Sequence, residues 1–514
     1  MPPTRTPLHA LLTLLTLTLT PACEVNTDPP AREVVDARDD DTSSLPTTRV
    51  TSLSELSNLE RVRGHLVLEV TGAIRLPMLT SIDGDLIIGS ASSPASSDIV
   101  LSALTRVGGS VRIAHTTGTG AIRMPRLTDI GAHLDLSHGT FALDLPVLTT
   151  LGADLRIANS RLLSFALDSL QTIGGSLVLT DNTLAPEVTF TLARLESIAR
   201  DIVLSGEVQL VATRVLTVGG DLRGTDVSGH IDLAGLRQLA SIHLIRSRLD
   251  TLGVAALRTL ASDLTLESID NLTTLELPLL DTLAGHLRVT DLPTLTSIDA
   301  PFVTQLAGLR LSHNPALTFL GFKRLARITS DLELTHNGAL TFVLDGLTSI
   351  GRDLVIAHNE ALDGQLPRLT DVGRDLTVQS QPAPYSNLVA LQFVGGDLTF
   401  ASLTGSDEYD DLRMATLRQV GGTLRIERLA SIEKLAFDAL RSVGTATTLG
   451  DLVLTLNRHV TGLDLPKLAT VAGRVEVTDN PRLPIAPLLL LLETVTTSSS
   501  PILCGNLGDE PCTE

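Results

Sequence analysis

The stretch Ile350–Leu362 reads IGRDLVIAHNEAL, and it decides the fold because it recurs along the chain. A similar stretch, ITSDLELTHNGAL, begins at Ile328, and another, VAGRVEVTDNPRL, begins at Val471. An Arg-Asp pair, a His-Asn pair and a Glu this close together are also the raw material of an active site. A catalytic group, however, is expected to stand out from a repeat rather than to define it. The recurrence therefore favours a structural repeat.

The best copies follow L-x-x-[IV]-x-x-D-L-x-[IV]-x-x-N, and the residue after the Asp position serves as a marker of each copy. About 19 markers recur at a mean spacing of about 23 residues, a period typical of solenoids. The marker and the residue two positions later are apolar, which is the pattern of a β-strand with one buried face. The markers are Leu66, Leu86, Val111, Leu134, Leu155, Leu177, Ile202, Leu222, Leu244, Leu264, Leu287, Leu309, Leu332, Leu354, Leu376, Leu398, Leu424, Leu452 and Val475.

Three features predict the bends of each coil. Gly-Gly pairs such as Gly395-Gly396 precede the Asp position and indicate a tight corner. An Asn five residues after the marker suits an inner corner, because its amide satisfies backbone groups that a bend leaves unpaired. Leu-Pro pairs predict a second corner, since proline cannot donate a hydrogen bond to a sheet. These pairs are Leu76-Pro77, Leu145-Pro146, Leu277-Pro278, Leu292-Pro293, Leu366-Pro367 and Leu465-Pro466.

The coil length predicts the architecture. About 22 residues are too few for a strand, a full helix and two loops, so short strands separated by bends are expected to stack into parallel sheets. The predicted fold class is all-β, a right-handed parallel β-solenoid of about 19 coils, because parallel crossovers are right-handed. The solenoid is assigned to residues 50–495 and a C-terminal cap to residues 496–514.

The repeat resembles that of a known family. The pattern L-x-I-x-x-N-x-x-L, as in LRLSHNPAL from Leu309 to Leu317, is similar to the leucine-rich-like coil of receptor L domains. Those domains are ligand-binding right-handed β-helices of insulin- and EGF-receptor ectodomains, and similar repeats occur in fungal cell-wall proteins and bacterial lipoproteins. The resemblance extends over residues 50–490 and implies a leucine-rich binding solenoid. It does not imply signalling, because the sequence lacks the Cys-rich modules, transmembrane helix and kinase of the receptors.

Composition narrows the function classes. Hydrophobic residues make up 43% of the chain but aromatic residues only 2%, and Trp is absent, so Leu, Ile, Val and Ala must fill the core. The net charge of −19 argues against a nucleic-acid partner, since phosphate binding needs clustered Lys and Arg. With no Trp and two Tyr, the chain also offers few aromatic platforms for sugar rings. A β-helical carbohydrate-active enzyme is therefore the less favoured alternative, and no catalytic residue or cofactor is predicted.

The N-terminus is typical of an export signal. Residues 1–22 contain one Arg and an apolar run from Leu8 to Leu19, too short for a permanent membrane span. Cleavage before Cys23 would resemble bacterial lipoprotein processing, in which that Cys takes the lipid; plain secretion is the alternative. Residues 23–49 are acidic and contain prolines, so we predict a disordered, lipid-anchored linker. The predicted location is the cell envelope, either the outer membrane or the cell surface.

The cysteine count agrees with this location. The chain has three Cys, of which Cys504 and Cys512 lie close enough in sequence to close a small loop. We predict that these two form a disulfide bond, which an oxidising envelope would preserve, and that Cys23 is left for the lipid.

The principal contact site is predicted where the repeat lengthens. Marker spacing rises between Leu398 and Leu424, and insertions in a solenoid project as surface loops that often lie on the binding face. The two tyrosines of the chain lie in this loop and in the preceding one, beside a run of acids that suits a cationic or cation-bridged partner. The candidate binding residues are Tyr385, Asp407, Glu408, Tyr409, Asp410 and Asp411.

Two further ladders of recurring residues have side chains that can bind metal ions. Asp331, Asp353, Asp375 and Asp397 recur at coil spacing, which suits corner capping or, alternatively, a calcium-binding ladder. His313, His336 and His358 follow three consecutive markers, and His115 and His138 repeat this placement. Stacked imidazoles about 5 Å apart suit a transition metal, but no Cys or carboxylate completes the set, so no metal is predicted. The expected function is non-catalytic binding of a protein or glycan ligand at the envelope; a purely structural envelope role is the alternative.

Overall fold

The computed structural model describes residues 45–52, 59–380, 382, 388–404 and 411–512. These residues form a nearly all-β, parallel β-solenoid of about 20 turns, which confirms the predicted solenoid and adds about one turn to the predicted number. Each turn contributes short strands to as many as three sheets, which we call the first, second and third faces in chain order.

The marker residues lie in the strands of the first face. Neighbouring strands pair in parallel with coil-to-coil register, so that Leu332, Leu354 and Leu376 lie above one another. The strands are Thr47–Val50, His65–Leu68, Leu86–Ile88, Val111–Ala114, Leu134–Ser137, Leu155–Ala158, Leu177–Leu184, Ile202–Val211, Leu222–Asp232, Ile242–Gly253, Leu264–Asp270, His286–Thr290, Gly308–Ser312, Leu332–Thr335, Leu354–Ala357, Leu376–Gln379, Leu398–Ala401, Leu424–Glu427, Leu452–Thr455, Val475–Thr478 and Ile502–Cys504.

The second face follows the first corner. Its strands are separate at both ends of the solenoid, whereas three middle coils run through the corner as single long strands of the first face, Ile202–Val211, Leu222–Asp232 and Ile242–Gly253. The separate strands are Ile74–Arg75, Ile99–Val100, Thr119–Arg123, Thr140–Asp144, Arg161–Ala166, Phe190–Thr191, Thr274–Glu276, Ser297–Asp299, Phe319–Gly321, Ala339–Val343, Ala361–Gln365, Asp411–Arg413, Lys434–Ala436 and Gly462–Asp464; Ala95–Ser96 pairs with Thr116–Thr117 beside them.

The third face consists of two-residue strands before each new marker. They are Arg61–Val62, Ser81–Ile82, Arg106–Val107, Asp129–Ile130, Thr150–Leu151, Thr172–Ile173, Ser197–Ile198, Thr217–Val218, Gln238–Leu239, Thr259–Leu260, Thr282–Leu283, Gln305–Leu306, Arg327–Ile328, Ser349–Ile350, Asp371–Val372, Phe393–Val394, Gln419–Val420, Ser442–Val443, Thr470–Val471 and Thr496–Thr497.

Alternation along each strand builds the core. In Leu354–Ala357, Leu354 and Ile356 are buried while Val355 between them is half-buried on the outer side. Because the register repeats, each inward Leu or Ile packs on its equivalents one coil above and below. A single coil cannot bury this face alone, so stability comes from stacking.

The structure corrects two details of the repeat. Leu222 and Leu264 both pair with Ile242, so Ile242, not Leu244, is the marker of that coil. The Leu292-Pro293 pair was expected at the second corner but lies at the first, because the Leu292 N–H donates to Asn314 and Leu292 occupies the corner-asparagine position of its own coil. Sequence alone misplaced it because both corners accept a Leu-Pro pair.

Close approach explains the corner glycines. A Cβ added at Gly395 would lie 2.2 Å from the carbonyl oxygen of Gly373 one coil earlier, and one at Gly421 would lie 2.1 Å from that of Gly395. Contacts this short leave no room for a side chain unless the backbone shifts. Glycine therefore lets successive coils lie close together at this corner.

The two ends continue the stack. Thr47–Val50 pairs with His65–Leu68, so the first strand begins within the segment predicted as linker. At the other end, Ile502–Cys504 pairs with Val475–Thr478, and Cys504 forms the predicted disulfide bond with Cys512. Much of the segment predicted as a cap is thus a last coil. It follows the helix Ile485–Thr494, and no described helix has the length and apolarity to cross a bilayer.

Candidate functional site

The predicted contact site falls mostly outside the described residues. Tyr385 and the run Asp407, Glu408, Tyr409 and Asp410 all lie there, as does Cys23, so these assignments stay predictions. Asp411 is exposed at the start of the strand Asp411–Arg413, which pairs with Lys434–Ala436. This pairing attaches one end of the predicted loop to the second face.

The residues directly before the markers share one structural role. Asp353 Oδ1 accepts the backbone N–H of Asp375 at 3.1 Å, and Asp375 Oδ1 accepts that of Asp397 at 2.9 Å. In another coil His133 Nδ1 accepts the backbone N–H of Asp154 at 3.2 Å. Since His replaces Asp here, the position requires a hydrogen-bond acceptor and not a carboxylate. This supports the corner-capping interpretation of the aspartates.

Arginines neutralise part of the same column. Arg374 Nε donates to Asp353 Oδ1 at 2.6 Å and lies 3.6 Å from Asp375 Oδ2, and Arg352 lies 3.7 Å from Asp331. Burial raises the pKa of Asp353, but hydrogen bonds from Arg374 and the Asp375 backbone outweigh it and hold this pKa below its usual range. Among the described residues, no group of three or more His, Cys, Asp or Glu is arranged to hold a metal ion.

Buried asparagines fix the first corner from inside. Asn337 Nδ2 donates to the carbonyl of Leu311 at 3.0 Å and to Asn359 Oδ1 at 3.0 Å, while Asn314 Nδ2 donates to Asn337 Oδ1 at 3.0 Å. The backbone N–H of Asn337 also donates to Asn359 Oδ1. The predicted inner-corner role is confirmed.

The residue before each corner asparagine position has a left-handed backbone. His313, His336 and His358 have φ values of 57°, 54° and 56°, and His115 and His138 have 52° and 55°. Short polar residues and His tolerate this conformation better than branched ones do, which explains the polar character of the column. The side chains point outward: His138, His313, His336 and His358 are exposed and His115 is half-buried.

The histidines stack in two groups. The ring centroids of His313 and His336 lie 4.5 Å apart with an interplanar angle of 6°, and those of His336 and His358 lie 4.7 Å apart. His115 and His138 form a second stack at 4.4 Å. The spacing of about 5 Å expected for neighbouring coils is confirmed.

Each stack borders a surface groove. The central groove has a volume of about 730 Å³ and crosses five consecutive coils. It begins where the last unbroken strand, Ile242–Gly253, meets coils whose second-face strands are separate. Its charged and titratable lining residues are Arg246, Arg248, Asp270, Asp291, His313 and His336.

The second groove lies on the same corner near the N-terminal end. Its volume is about 530 Å³, and His138, Arg161 and Asp181 contribute its charged and titratable side chains. We call it the N-terminal groove. From the coil of His138 to that of His313 are eight coil steps, or about 38 Å at the usual strand spacing.

Ion pairs position the arginines of the central groove. Arg246 donates two hydrogen bonds of 3.2 Å to the two carboxylate oxygens of Asp226, and its hydrogen bond holds the pKa of Asp226 below the usual range. Arg248 lies 3.8 Å from Asp270. Both pairs are solvent-exposed, so they orient the side chains more than they stabilise the fold.

Reasoning from sequence identified the histidine ladders but missed the groove. The signal was present in the spacing, because the distance from the marker to the second corner is shorter in the coils of Ile202, Leu222 and Ile242 than in the next three coils. Comparison of the chain with protein-family models and with curated proteins finds no match.

Proposed function

We propose that this protein is a non-catalytic, exported and lipid-anchored solenoid that presents a ligand-binding surface at the cell envelope. The central groove is the observation that carries the proposal. It crosses five coils and is lined by arginines, acids and imidazoles, and the asparagine column fixes the corner of the two coils that carry His313 and His336. Polar groups that a rigid scaffold holds in place are typical of a binding site.

The finer family resemblance supports the same function. Receptor L domains, which the repeat resembles, are ligand-binding β-helices, and the LRLSHNPAL copy that carries the resemblance contains His313 and Pro315 of the central groove. The candidate acids and histidines recur as ladder positions, which favours recognition along a surface over a single reaction centre. The ligand class in this proposal is a protein or glycan of the envelope.

Ligand capture tests the proposal. The full-length protein, purified in detergent, is screened on a glycan array and against envelope extracts. The screen is repeated with the variant Arg248→Ser, which removes a groove side chain and only a weak, exposed ion pair. We expect a captured ligand to be lost or weakened at least tenfold in this variant.

The matched control is Arg474→Ser, at another exposed position. Loss of capture in both variants, or in neither, would contradict the assignment of the groove. The absence of any captured ligand in both screens would contradict the binding function itself.

A further inference from the structure

Within the two histidine stacks, the ring faces that meet cover one another, and the ring edges form the shared outer surface. Neighbouring rings lie 4.4–4.7 Å apart and are within 24° of parallel, so the faces inside each stack cover one another. The side chain is attached at Cγ, so the outward tip of each exposed ring carries Cε1 and Nε2. Each stack is thus a row of nitrogen atoms, one per coil, and these become N–H donors when the rings are protonated.

Backbone geometry alone does not account for this arrangement. The same left-handed position holds Asn159, Asp181, Asp226 and Ser268 in other coils, so the fold accepts several residue types there. Histidines nevertheless occupy it in consecutive coils at two places, and both places border a groove. Each groove also contains at least one arginine. The repetition of this combination indicates a shared binding chemistry.

The charge balance of the central groove depends on the histidines. Arg246 is paired with Asp226 outside the groove lining, and Arg248 with Asp270 within it. Asp291, between these pairs and His313 in the same column, adds a negative charge. With neutral imidazoles the two arginines and three aspartates therefore sum to a net charge of −1 (+2 − 3). Protonation of His313 and His336, the two imidazoles of the lining, would change this sum to +1 (−1 + 2).

We propose that the two histidine stacks are anion-binding subsites for an acidic polysaccharide, which they bind when the imidazoles are protonated. The inference rests on the proposed binding function and names its ligand class. Protonated imidazole N–H groups donate charge-assisted hydrogen bonds to carboxylates, which are stronger than those between neutral groups. The guanidinium groups of Arg246 and Arg248 add N–H donors that also carry positive charge.

Spacing disfavours an acidic peptide in the extended conformation. An extended polypeptide rises about 3.4 Å per residue and places its side chains on alternate sides, so carboxylates on one side are about 7 Å apart. This spacing does not match imidazoles 4.4–4.7 Å apart. A polyuronate carries one carboxylate per sugar, and its glycosidic torsions adjust their spacing. A long chain also reaches both grooves, which increases its apparent affinity.

The pH range in which binding is expected follows from the ionisation of the imidazoles and of the sugar carboxylates. Histidine titrates near pH 6.5 and carboxylic acids near pH 4, so protonated imidazoles and ionised sugar carboxylates coexist near pH 5.5. Burial and then the neighbouring charges of His313 and His358 lower the pKa of His336.

The experiment measures binding of polygalacturonate to the full-length protein in detergent at pH 5.5 and pH 7.5, with EDTA present. Neutral dextran is the control polymer. We expect polygalacturonate to bind at least tenfold more tightly at pH 5.5 and dextran not to bind. The triple variant His313→Asn, His336→Asn and His358→Asn should lose most of this pH dependence. Asn suits the backbone, because Asn159 occupies the same position in another coil.

The control variant is His459→Asn, an exposed histidine outside both grooves, which should bind like the wild type. A double variant in which His115 and His138 are both replaced should weaken binding of the long polymer. It should not weaken binding of short oligomers that reach only the central groove.

Three outcomes would overturn the inference: failure of polygalacturonate to bind at pH 5.5, equal binding at both pH values, or pH dependence that persists in the triple variant. Capture of a neutral glycan or a protein through Arg248 would then leave the proposed function standing. Binding that requires added Zn²⁺ in place of EDTA would also overturn it.

Discussion

At the scale of single residues, the asparagine column connects coils through side-chain amides. Asn337 receives a hydrogen bond from Asn314 and donates one to Asn359, so the three amides form a buried chain. Each amide also donates to a backbone carbonyl of the preceding coil, as Asn337 does to Leu311. Buried polar networks of this kind are stabilising when every member is satisfied and costly when one is removed.

We predict that Asn337→Ala lowers the free energy of unfolding by about 1–3 kcal/mol, because the Leu311 carbonyl and the Asn314 amide lose a buried partner. Denaturant titration followed by circular dichroism measures the change. Gln238→Ala, at an exposed strand position, is the control and should change stability by less than about 0.5 kcal/mol. An equal effect of the two substitutions would contradict the role of the amide chain.

Residue-scale features were predictable from sequence where they repeat. The inner-corner Asn and the structural Asp followed from recurrence, because a role imposed by the fold appears in every coil. The central groove could not be predicted in this way, because it results from a difference between neighbouring coils and involves no motif. Arg248 and Asp291 belong to different coils, and only the register brings them into one lining. Tyr385 and Tyr409 lie outside the described residues, so their predicted role remains open to experiment.

At the scale of elements, the C-terminal coil differs from the others because a covalent bond closes it. Among the described residues, Ile502–Cys504 pairs with one strand of this face, Val475–Thr478. Asn506 ends a second run of corner asparagines, after Asn457 and Asn480, and donates to the Val477 carbonyl at 2.7 Å. Terminal repeats of a solenoid have one stacking partner instead of two and open first. The disulfide therefore acts where stacking contributes least.

We predict that the double variant Cys504→Ser and Cys512→Ser destabilises the last coil by about 2–3 kcal/mol, the value expected for closing so short a loop. Because the effect is local, amide exchange should accelerate in the coil of Ile502–Cys504 while that of Leu309 and its neighbours stays unchanged. Hydrogen exchange with mass spectrometry measures both. Two free thiols in the oxidised, folded wild type, or uniform acceleration along the chain, would refute the prediction.

Some features of the strands and coils could be predicted from the sequence, whereas the exact start of one coil could not. The parallel stack followed from the repeat period. Which side chains of each strand point inward followed from the alternation of apolar and polar residues. The assignment of Leu244 as a marker was wrong because Leu244 and Ile242 both point inward, and the chain lacks an Asp before either of them. The right-handed wind stays a prediction from the behaviour of parallel crossovers.

At the scale of the whole molecule, the predicted anchor would decide where the proposed binding surface operates. Cys23 follows the signal-like segment of residues 1–22, and the other two cysteines are bonded to each other. Cys23 is therefore the cysteine that the disulfide leaves for modification. Acylation at that position would keep the solenoid at a membrane surface without a spanning helix.

We predict that Cys23→Ser releases the protein from the membrane fraction of a bacterial host into the soluble exported fraction, because the acyl group is lost. Fractionation with immunoblotting, and mass spectrometry of the N-terminal peptide, measure the change. The double variant Cys504→Ser and Cys512→Ser should stay with the membrane. Wild-type protein that is already soluble and unacylated would show that the anchor assignment is wrong.

The repeating register has one more consequence, which concerns length. His138 and His313 occupy the same position in coils that are eight steps apart, so their separation is a whole number of strand spacings. A chain that gains or loses one complete coil between them would move the two grooves by about 4.8 Å and leave the geometry of each intact. The solenoid is in this sense a ruler, which sets the distance between its two grooves in equal divisions.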